Sequence, residues 1–523
     1  MGVQNPNTAN SAPLDEGGLS EGVQFMHSYF ERFKPRANRI LVTQIRKTGK
    51  YEIKPNMPME RDFKRSQLVT FHFPPYRCAW RRLDGTITIR YRVRNYSGTG
   101  VYAPKLATSP SNTAAYFKPY LLANMWKRVS IAINGTEIKS NYEYSLVHFV
   151  TKLMTITKKD LDYERALTGF YIPTIKYLKA ATGSAFEGGT GQELIQHPLV
   201  PVPTKHTFTA APEWDVNTFI ANFSEGTIPT IDDNRILTGK LPHPLFGNQK
   251  LWPPECPLAI QMEPNHINKI FYCIEGYAPT LVIDEIVFTD TVVHVTEGMV
   301  DNSVKETIKS GGGFHMPYTS YETNYYNLKN GVAQDFQAII QGAWPSKIIV
   351  GFIPTASRTE TKSATTKFIS KYPPLTNITV YNGEQEYPRK GGITFRNVPD
   401  FPNTASMSEY LLEADLNNLI MANRDTVEWL RGEMLNDLTN MSDLAWTPEM
   451  LFTCQFWVPI SFTPIDRDAE APDVVFPKES GDMRIKLEFK HEIDANNWTM
   501  VVISIRDSLI EMTPPTWSIA GNF

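Results

Sequence analysis

The chain has 523 residues, of which 41% are hydrophobic and 20% are charged. This composition is typical of a globular protein with a sizeable core, so it excludes disorder, collagen and coiled coil as descriptions of the whole chain. The length is enough for two or three domains, and the net charge of −3 by itself indicates no class of partner.

Targeting and cysteine signals are weak. No segment reaches the roughly 18 apolar residues of a membrane helix, and the first residues lack the basic and then apolar layout of a signal peptide. The four cysteines contain no C-x-x-C pair, which favours neither a disulfide scaffold nor a cysteine zinc site. We therefore expect no membrane span and no classical secretion.

The charge is distributed unevenly along the chain. Residues 31–95 contain 17 Lys and Arg against 5 Asp and Glu, a net charge of +12, which leaves −15 on the rest because the whole chain carries −3. A basic surface attracts phosphate groups, so this segment is a candidate for contact with nucleic acid. The alternative is a basic face that acidic neighbours neutralise in the folded protein.

In chain order, the first signal is a segment rich in Gly, Asn and Ser, which predicts a mobile N-terminal arm over residues 1–34. Strand patterns dominate after it. The segment Thr86–Arg94 alternates with a period of two, which directs Ile87 and Ile89 to one face and Arg90 and Arg92 to the other. This pattern predicts a half-buried strand with a basic outer face, and similar segments along the chain indicate a mainly β protein.

Two helices are predicted in similar places. The sequences Ser140–Glu143 and Ser406–Glu409 are each typical of a capping box, and each opens an apolar helical pattern. Each follows a strand that ends in Asn-Gly, at Asn134-Gly135 and Asn382-Gly383, where tight hairpin turns are expected. The helical face predicted after the first box consists of Leu146, Phe149, Val150, Leu153 and Met154.

The later strands of the two halves also correspond. The segment Leu258–Glu263 resembles Met483–Glu488, and a long apolar strand follows each of them. The order of these landmarks indicates a diverged duplication of a β-rich domain. We predict an arm over residues 1–34, a first domain over 35–300 and a second over 301–523.

Catalytic templates do not fit. A G-x-S-x-G match at Gly18–Gly22 lies in the predicted arm without the strand and helix that a nucleophile elbow needs. The ten histidines contain no H-x-H or H-E-x-x-H, and His243 and His266 are expected to be loop or interface residues. Asp284 and Glu285 are adjacent on a predicted strand and should point to opposite faces. We therefore expect no catalytic residue, no metal, no cofactor and no enzymatic activity.

Several motifs carry a family resemblance. They are Ala123–Gly135, Gly239–Phe246, Trp344–Ile353 and Gly481–Leu487, in this order along the chain. The sequence resembles the double jelly-roll major capsid proteins of Polinton/Maverick-type elements and adintoviruses, in the adenovirus and tectivirus-like lineage of DNA viruses. The resemblance extends over residues 35–515.

The resemblance implies an all-β fold of two tandem eight-stranded jelly rolls, with a few short helices in the insertions between strands. It implies a homotrimer of pseudo-hexameric outline that tiles an icosahedral shell around double-stranded DNA. The implied partners are neighbouring capsomers, a single jelly-roll penton protein, minor capsid proteins and, non-specifically, the packaged DNA. The implied location is the virion.

Functional surfaces follow from this resemblance. The inserts Tyr96–Tyr116, Ala180–Asp215 and Thr355–Pro374 would build the outward projection of the trimer or its lateral contacts. Seven basic residues would lie near the inner surface and contact DNA, a membrane or a neighbouring trimer. These are Arg32, Lys34, Arg36, Arg39, Arg46, Lys47 and Lys50.

Two other functions remain open at this stage. One is a carbohydrate-binding or carbohydrate-processing β-sandwich, which would use exposed aromatic residues and a carboxylate pair. The other is a structural or binding role inside a cell, as a relative of capsid proteins that no longer builds a virus.

Overall fold

A computed structural model describes most of the strands and helices of the chain. The described residues are 39–53, 68–73, 79–82, 85–94, 115–138, 143–175, 195–196, 235–243, 245–246, 252, 256–273, 280–294, 310, 314–340, 344–358, 366–399, 413–434, 443–462, 481–493, 498–513 and 518–520.

The strands divide into an N-terminal and a C-terminal set. The first set consists of β1 (Arg39–Ile53), β2 (Val69–Phe73), β3 (Ala79–Arg82), β4 (Thr86–Arg94), β5 (Ala115–Phe117), β6 (Trp126–Ile133), β7 (Thr136–Ile138), β8 (Thr174–Ile175), β9 (Ile195–Gln196), β10 (Arg235–Lys240), β11 (Leu258–Pro264), β12 (Phe271–Cys273) and β13 (Thr280–His294). The second set consists of β14 (Phe314–Asn327), β15 (Gly331–Ile340), β16 (Lys347–Pro354), β17 (Leu375–Asn382), β18 (Gln385–Tyr387), β19 (Ile393–Thr394), β20 (Trp457–Ser461), β21 (Met483–Ile493), β22 (Trp498–Thr513) and β23 (Ser518–Ala520).

The helices are short and lie between strands. They are α1 (Leu121–Asn124), α2 (Tyr144–Leu153), α3 (Lys158–Thr168), α4 (Ile267–Ile270), α5 (Glu413–Ala422), α6 (Arg424–Met434) and α7 (Pro448–Thr453), with a 3-10 turn at Thr355–Ser357.

Each set of strands forms two antiparallel sheets with the same connectivity. The first set has the orders β1-β13-β4-β10 and β2-β11-β6-β7, and the second has β14-β22-β16-β20 and β15-β21-β17-β18. When the eight main strands of each set are numbered along the chain, both sets read 1-8-3-6 and 2-7-4-5, which is a jelly roll. The predicted double jelly roll with short helical insertions is confirmed.

Among the strands that the structure describes, pairing stays within each set, and a single isolated bridge from Thr157 to Leu444 joins the two halves. The first set ends at His294 and the second begins at Phe314. The predicted boundary between residues 300 and 301 falls outside the described residues and stays a prediction, as does the arm over residues 1–34.

Aromatic contacts join the two sheets of each jelly roll. Phe73 of β2 lies 5.4 Å from Phe288 of β13 between ring centroids, and Tyr326 of β14 lies 5.9 Å from Phe336 of β15. One continuous cluster of buried residues runs through both jelly rolls. The two halves therefore share an apolar interior.

The predicted hairpins form, with different turns. Asn134 and Gly135 both have positive φ angles, 45° and 82°, and join Ile133 to its partner Thr136, as a type I′ turn requires. In the second hairpin Asn382 pairs with the residue three positions on, and of the two turn residues only Gly383 has a positive φ, 59°. Relative to the Asn-Gly pair, the second turn therefore begins one residue later: its two turn residues are Gly383 and Glu384, and Asn382 belongs to the strand.

The first predicted capping box is wrong, although the helical face after it is confirmed. Helix α2 begins at Tyr144, and Glu143 stands at its N-cap position without a capping hydrogen bond from its side chain. The carboxylate of Glu143 instead forms an ion pair with Lys367, whose side chain is only 3% exposed. Ser140 and the second predicted box lie outside the described residues. The predicted apolar face of α2, from Leu146 to Met154, is buried.

Candidate functional site

The seven predicted basic residues divide into two groups. Arg39, Arg46, Lys47 and Lys50 lie on β1, which pairs with β13 and stands at the end of its sheet. The other three, at positions 32, 34 and 36, lie outside the described residues. The structure thus assigns four of the seven to one long strand.

The basic outer face of β4 forms as predicted, but acidic residues neutralise part of it. Ile87, Ile89 and Tyr91 are buried, whereas Arg90 is exposed and Arg92 partly exposed. The Arg92 guanidinium donates two hydrogen bonds to the Asp284 carboxylate, both of 2.7 Å. For this part of the basic segment, neutralisation by acidic neighbours therefore describes the charge better than a surface free to contact nucleic acid.

The prediction that Asp284 and Glu285 point to opposite faces is wrong. Ile283 pairs with Tyr91 and Glu285 with Arg90, so Asp284 is an extra residue in β13. An extra residue shifts the alternation of the strand, and both carboxylates therefore reach the arginine face. Glu285 lies 3.9 Å from Arg90, whose side chain is 51% exposed, so this second pair is a weak one.

A buried junction joins the two jelly rolls, and sequence reasoning missed it. On one side lies α2, in the insertion between β7 and β10. Phe149 of α2 packs on Phe368 with ring centroids 5.2 Å apart, His148 packs on Tyr321 of β14 at 5.6 Å, and the carboxylate at position 143 binds Lys367 as described above.

The junction continues through backbone groups. The backbone N–H of Ala445 donates to the carbonyl of Ile156 at 3.0 Å. The Gln455 side-chain amide donates to the carbonyl oxygens of Pro173, at 3.2 Å, and Phe368, at 3.3 Å. Gln455 is fully buried, and its bond to Pro173 crosses from the second jelly roll to the first, so this contact helps to fix the two jelly rolls in one arrangement.

The junction also corrects a predicted surface. The insert Thr355–Pro374 was expected to project outward or to make lateral contacts, but its part from Thr366 to Pro374 is buried. Ser370 is 0% exposed; its hydroxyl donates to the Phe456 carbonyl. This part of the insert is therefore an internal connection. The inserts Tyr96–Tyr116 and Ala180–Asp215 lie almost entirely outside the described residues.

Two buried histidines lie beside the junction. His148 and His243 are 9% and 7% exposed, and burial lowers the pKa of each to about 3. His243 accepts a hydrogen bond from the Leu245 N–H through its Nδ1, at 3.2 Å, and His266 caps α4 through its own Nδ1. His243 and His266 were predicted to be loop or interface residues, and both lie in loops.

Among the residues that the structure describes, no group of three or more His, Cys, Asp or Glu is arranged to hold a metal ion. The described helices reach at most 11 residues, and none of them is long and apolar enough to cross a bilayer.

Comparison with known proteins finds similarity at the level of structure. No family model matches the sequence, and no curated protein matches it. A chain in the cryo-EM structure of the Sputnik virophage has a TM-score of 0.51 and 10% identity, covering 100% of this chain and 93% of that one. The mavirus major capsid protein has a TM-score of 0.41 and 11% identity, covering 100% and 95%. The Faustovirus major capsid protein has a TM-score of 0.42 and 10% identity, covering 91% of both chains.

The first of these comparisons supports the assignment of the fold, because its TM-score exceeds 0.5 over the whole chain. It agrees with the strand order, which reads as a jelly roll in each half independently. The chain therefore has a double jelly-roll fold, which it shares with a chain of the Sputnik virophage.

Proposed function

We propose that this chain is the major capsid protein of a double-stranded DNA virus. Three copies would form a pseudo-hexameric capsomer, and capsomers would tile an icosahedral shell in the virion. The observation that carries this proposal is the repetition of one strand order in two jelly rolls that a buried junction locks together. Such a unit presents two similar building blocks in a fixed relation, so three copies provide six positions around an axis.

The proposed role is structural and needs no cofactor. Penton and minor capsid proteins would complete the shell, as the family resemblance implies. The finer assignment to the lineage of Polinton/Maverick-type elements and adintoviruses is supported by the motifs named above. Three of these coincide with jelly-roll strands: the first contains β6, the third covers most of β16, and the fourth contains the start of β21.

The mass of the purified chain in solution tests the proposal. A trimer would have three times the chain mass of 59.4 kDa, about 178 kDa, and should show a hexagonal outline by electron microscopy. A chain that stays monomeric over a wide range of concentration and salt would contradict the proposal and direct attention to carbohydrate binding.

We also propose that β1 contributes to the inner surface of the shell. Replacing Arg39, Arg46, Lys47 and Lys50 with Gln removes four positive charges from one strand and should reduce DNA retention without dissociating the trimer. The matched control removes four charges from exposed positions on other elements. These are Lys158, Lys159, Lys329 and Lys390. Full DNA content in particles of the β1 variant, or an equal loss in the control, would contradict this placement.

A further inference from the structure

The two jelly rolls carry helical insertions at the same point of their strand order. Helices α2 and α3 lie between β7 and β10, and α5 and α6 lie between β18 and β20. In each jelly roll this is the connection from the fifth main strand to the sixth. Helix α2 of the first jelly roll and α5 of the second are therefore counterparts.

The counterparts differ in how they are covered. Eight of the ten residues of α2 are buried, because the helix packs on β6 on one side and the second jelly roll covers another. Phe149 and His148 contact residues of the second jelly roll from this helix. Helix α2 is thus enclosed between the two halves of one chain.

Helix α5 is covered on one side only. Leu416 and Leu419 are buried, whereas Met421 is 74% exposed, the highest exposure among the large hydrophobic residues that the structure describes as exposed. Asn417 and Asn418 are exposed beside it, four and three positions earlier respectively, and so lie on the same face of the helix. All three exposed residues are uncharged. The nearest exposed charge along the chain, Arg424 at the start of α6, is paired with Glu428 at 3.1 Å. An exposed methionine beside uncharged residues fits the composition of protein interfaces, in which Met is enriched and charged residues are depleted at the centre.

We propose that this face of α5 (Asn417, Asn418 and Met421) is an interface with a second copy of the chain. The first jelly roll of that copy covers α5, as the second jelly roll covers α2 within one chain. The contact from first to second jelly roll occurs within a chain, so closing a ring of chains requires a similar contact from the second jelly roll of one chain to the first of the next. This inference rests on the proposed function and names the surface through which the trimer forms.

The proposal is tested by a substitution that adds a charge to this face and keeps the helix stable. Met421 lies in the last turn of α5, where a positive side chain interacts favourably with the helix dipole, so Met421→Lys should leave the monomer folded. The interface would then contain an unpaired ammonium group, and we expect the concentration at which the trimer dissociates to rise roughly 10-fold to 100-fold by mass photometry. Val332→Lys is the matched control, because Val332 is 49% exposed on β15 of the second jelly roll, outside α5 and outside the first jelly roll that would cover it.

Peroxide oxidation of Met421 in the unmodified protein provides a second measurement. Its conversion to the sulfoxide should be at least about tenfold slower in the trimer than in chains dissociated by dilution. Three results would overturn the inference and leave the proposed function standing. They are an unchanged dissociation concentration for Met421→Lys while the wild type forms a trimer, an equal effect of Val332→Lys, and equal oxidation rates in trimer and dissociated chains. A wild-type chain that never forms a trimer would overturn both.

Discussion

Acid should destabilise this protein through the two histidines beside the junction. His148 contacts Tyr144 of its own helix, at 4.6 Å between ring centroids, and Tyr321 of the second jelly roll, at 5.6 Å. His243 is close enough to lower the pKa of His148 further. Both side chains are buried in the folded chain, and protonation would place two like charges next to each other.

The sign and size of the effect follow from the pKa values. Burial lowers the pKa of each histidine from 6.5 to about 3, so below pH 6.5 the unfolded chain binds protons that the folded chain does not. Stability from these groups is fully present above about pH 6.5 and is lost as the pH falls towards 3. At about pH 5 the contribution of each histidine to the free energy of unfolding is lower by about 2 kcal/mol, which makes about 4 kcal/mol for the two. This is a large share of the roughly 5–15 kcal/mol that stabilises a typical domain.

Urea unfolding at about pH 7.5 and about pH 5 measures this loss. The control is the double variant His148→Gln with His243→Gln, in which neither side chain titrates. Between the two pH values, the free energy of unfolding should fall by about 4 kcal/mol less in the variant than in the wild type, because the variant lacks only the contribution of the two histidines. Equal losses in the two proteins would refute the reasoning and would show that other groups dominate the acid response.

Three further predictions, which use five substitutions, test the packing described above. Asp284→Asn should lower the free energy of unfolding by about 1–3 kcal/mol because it weakens two short charge-assisted hydrogen bonds, whereas Glu285→Gln should cost under about 0.5 kcal/mol; thermal melting that ranks them the other way would contradict the geometry. Gly351→Ala places a Cβ 2.3 Å from a buried Trp ring and should cost about 1–3 kcal/mol; Gly135→Ala, with nothing within 4 Å and a φ of +82°, should cost only about 1 kcal/mol of backbone strain. Gln455→Leu removes the side-chain donor to the Phe368 carbonyl and one of two donors to the Pro173 carbonyl, and it removes the acceptor of the Trp457 indole N–H. It should cost about 1–3 kcal/mol; we expect faster proteolysis between the jelly rolls, and an unchanged cleavage rate would count against the junction.

Local patterns in the sequence were sufficient for the mainly β class and for the correspondence of the two halves, whereas the jelly-roll topology was expected from the family resemblance. The period of two in Thr86–Arg94 predicted which residues of β4 are buried, because successive side chains of a strand point to opposite faces. The turns at Asn134 and Gly383 were predicted because positive φ angles favour Asn and Gly. The correspondence of the two halves was visible because both repeat the same landmarks in the same order, and the strand order agrees with it.

The contacts between distant segments could not be predicted in this way. An extra residue in β13 at Asp284 changes which face a carboxylate occupies, and only the pairing with β4 reveals it. Glu143 was assigned to a helix cap because its local spacing fits one, but a lysine more than 200 positions away competes for its carboxylate. Gln455 in a mostly apolar run was a local signal of a buried polar contact, but it did not indicate the partner.

The sequence alone therefore determined the all-β class, the repeated order of elements and the faces of individual strands, since these depend on periodicity within a few residues. The tertiary structure decided how the halves meet, which charges are neutralised and which helix face stays exposed. These depend on pairs such as Phe149 with Phe368, whose proximity is a property of the folded chain and leaves no periodic trace along the sequence.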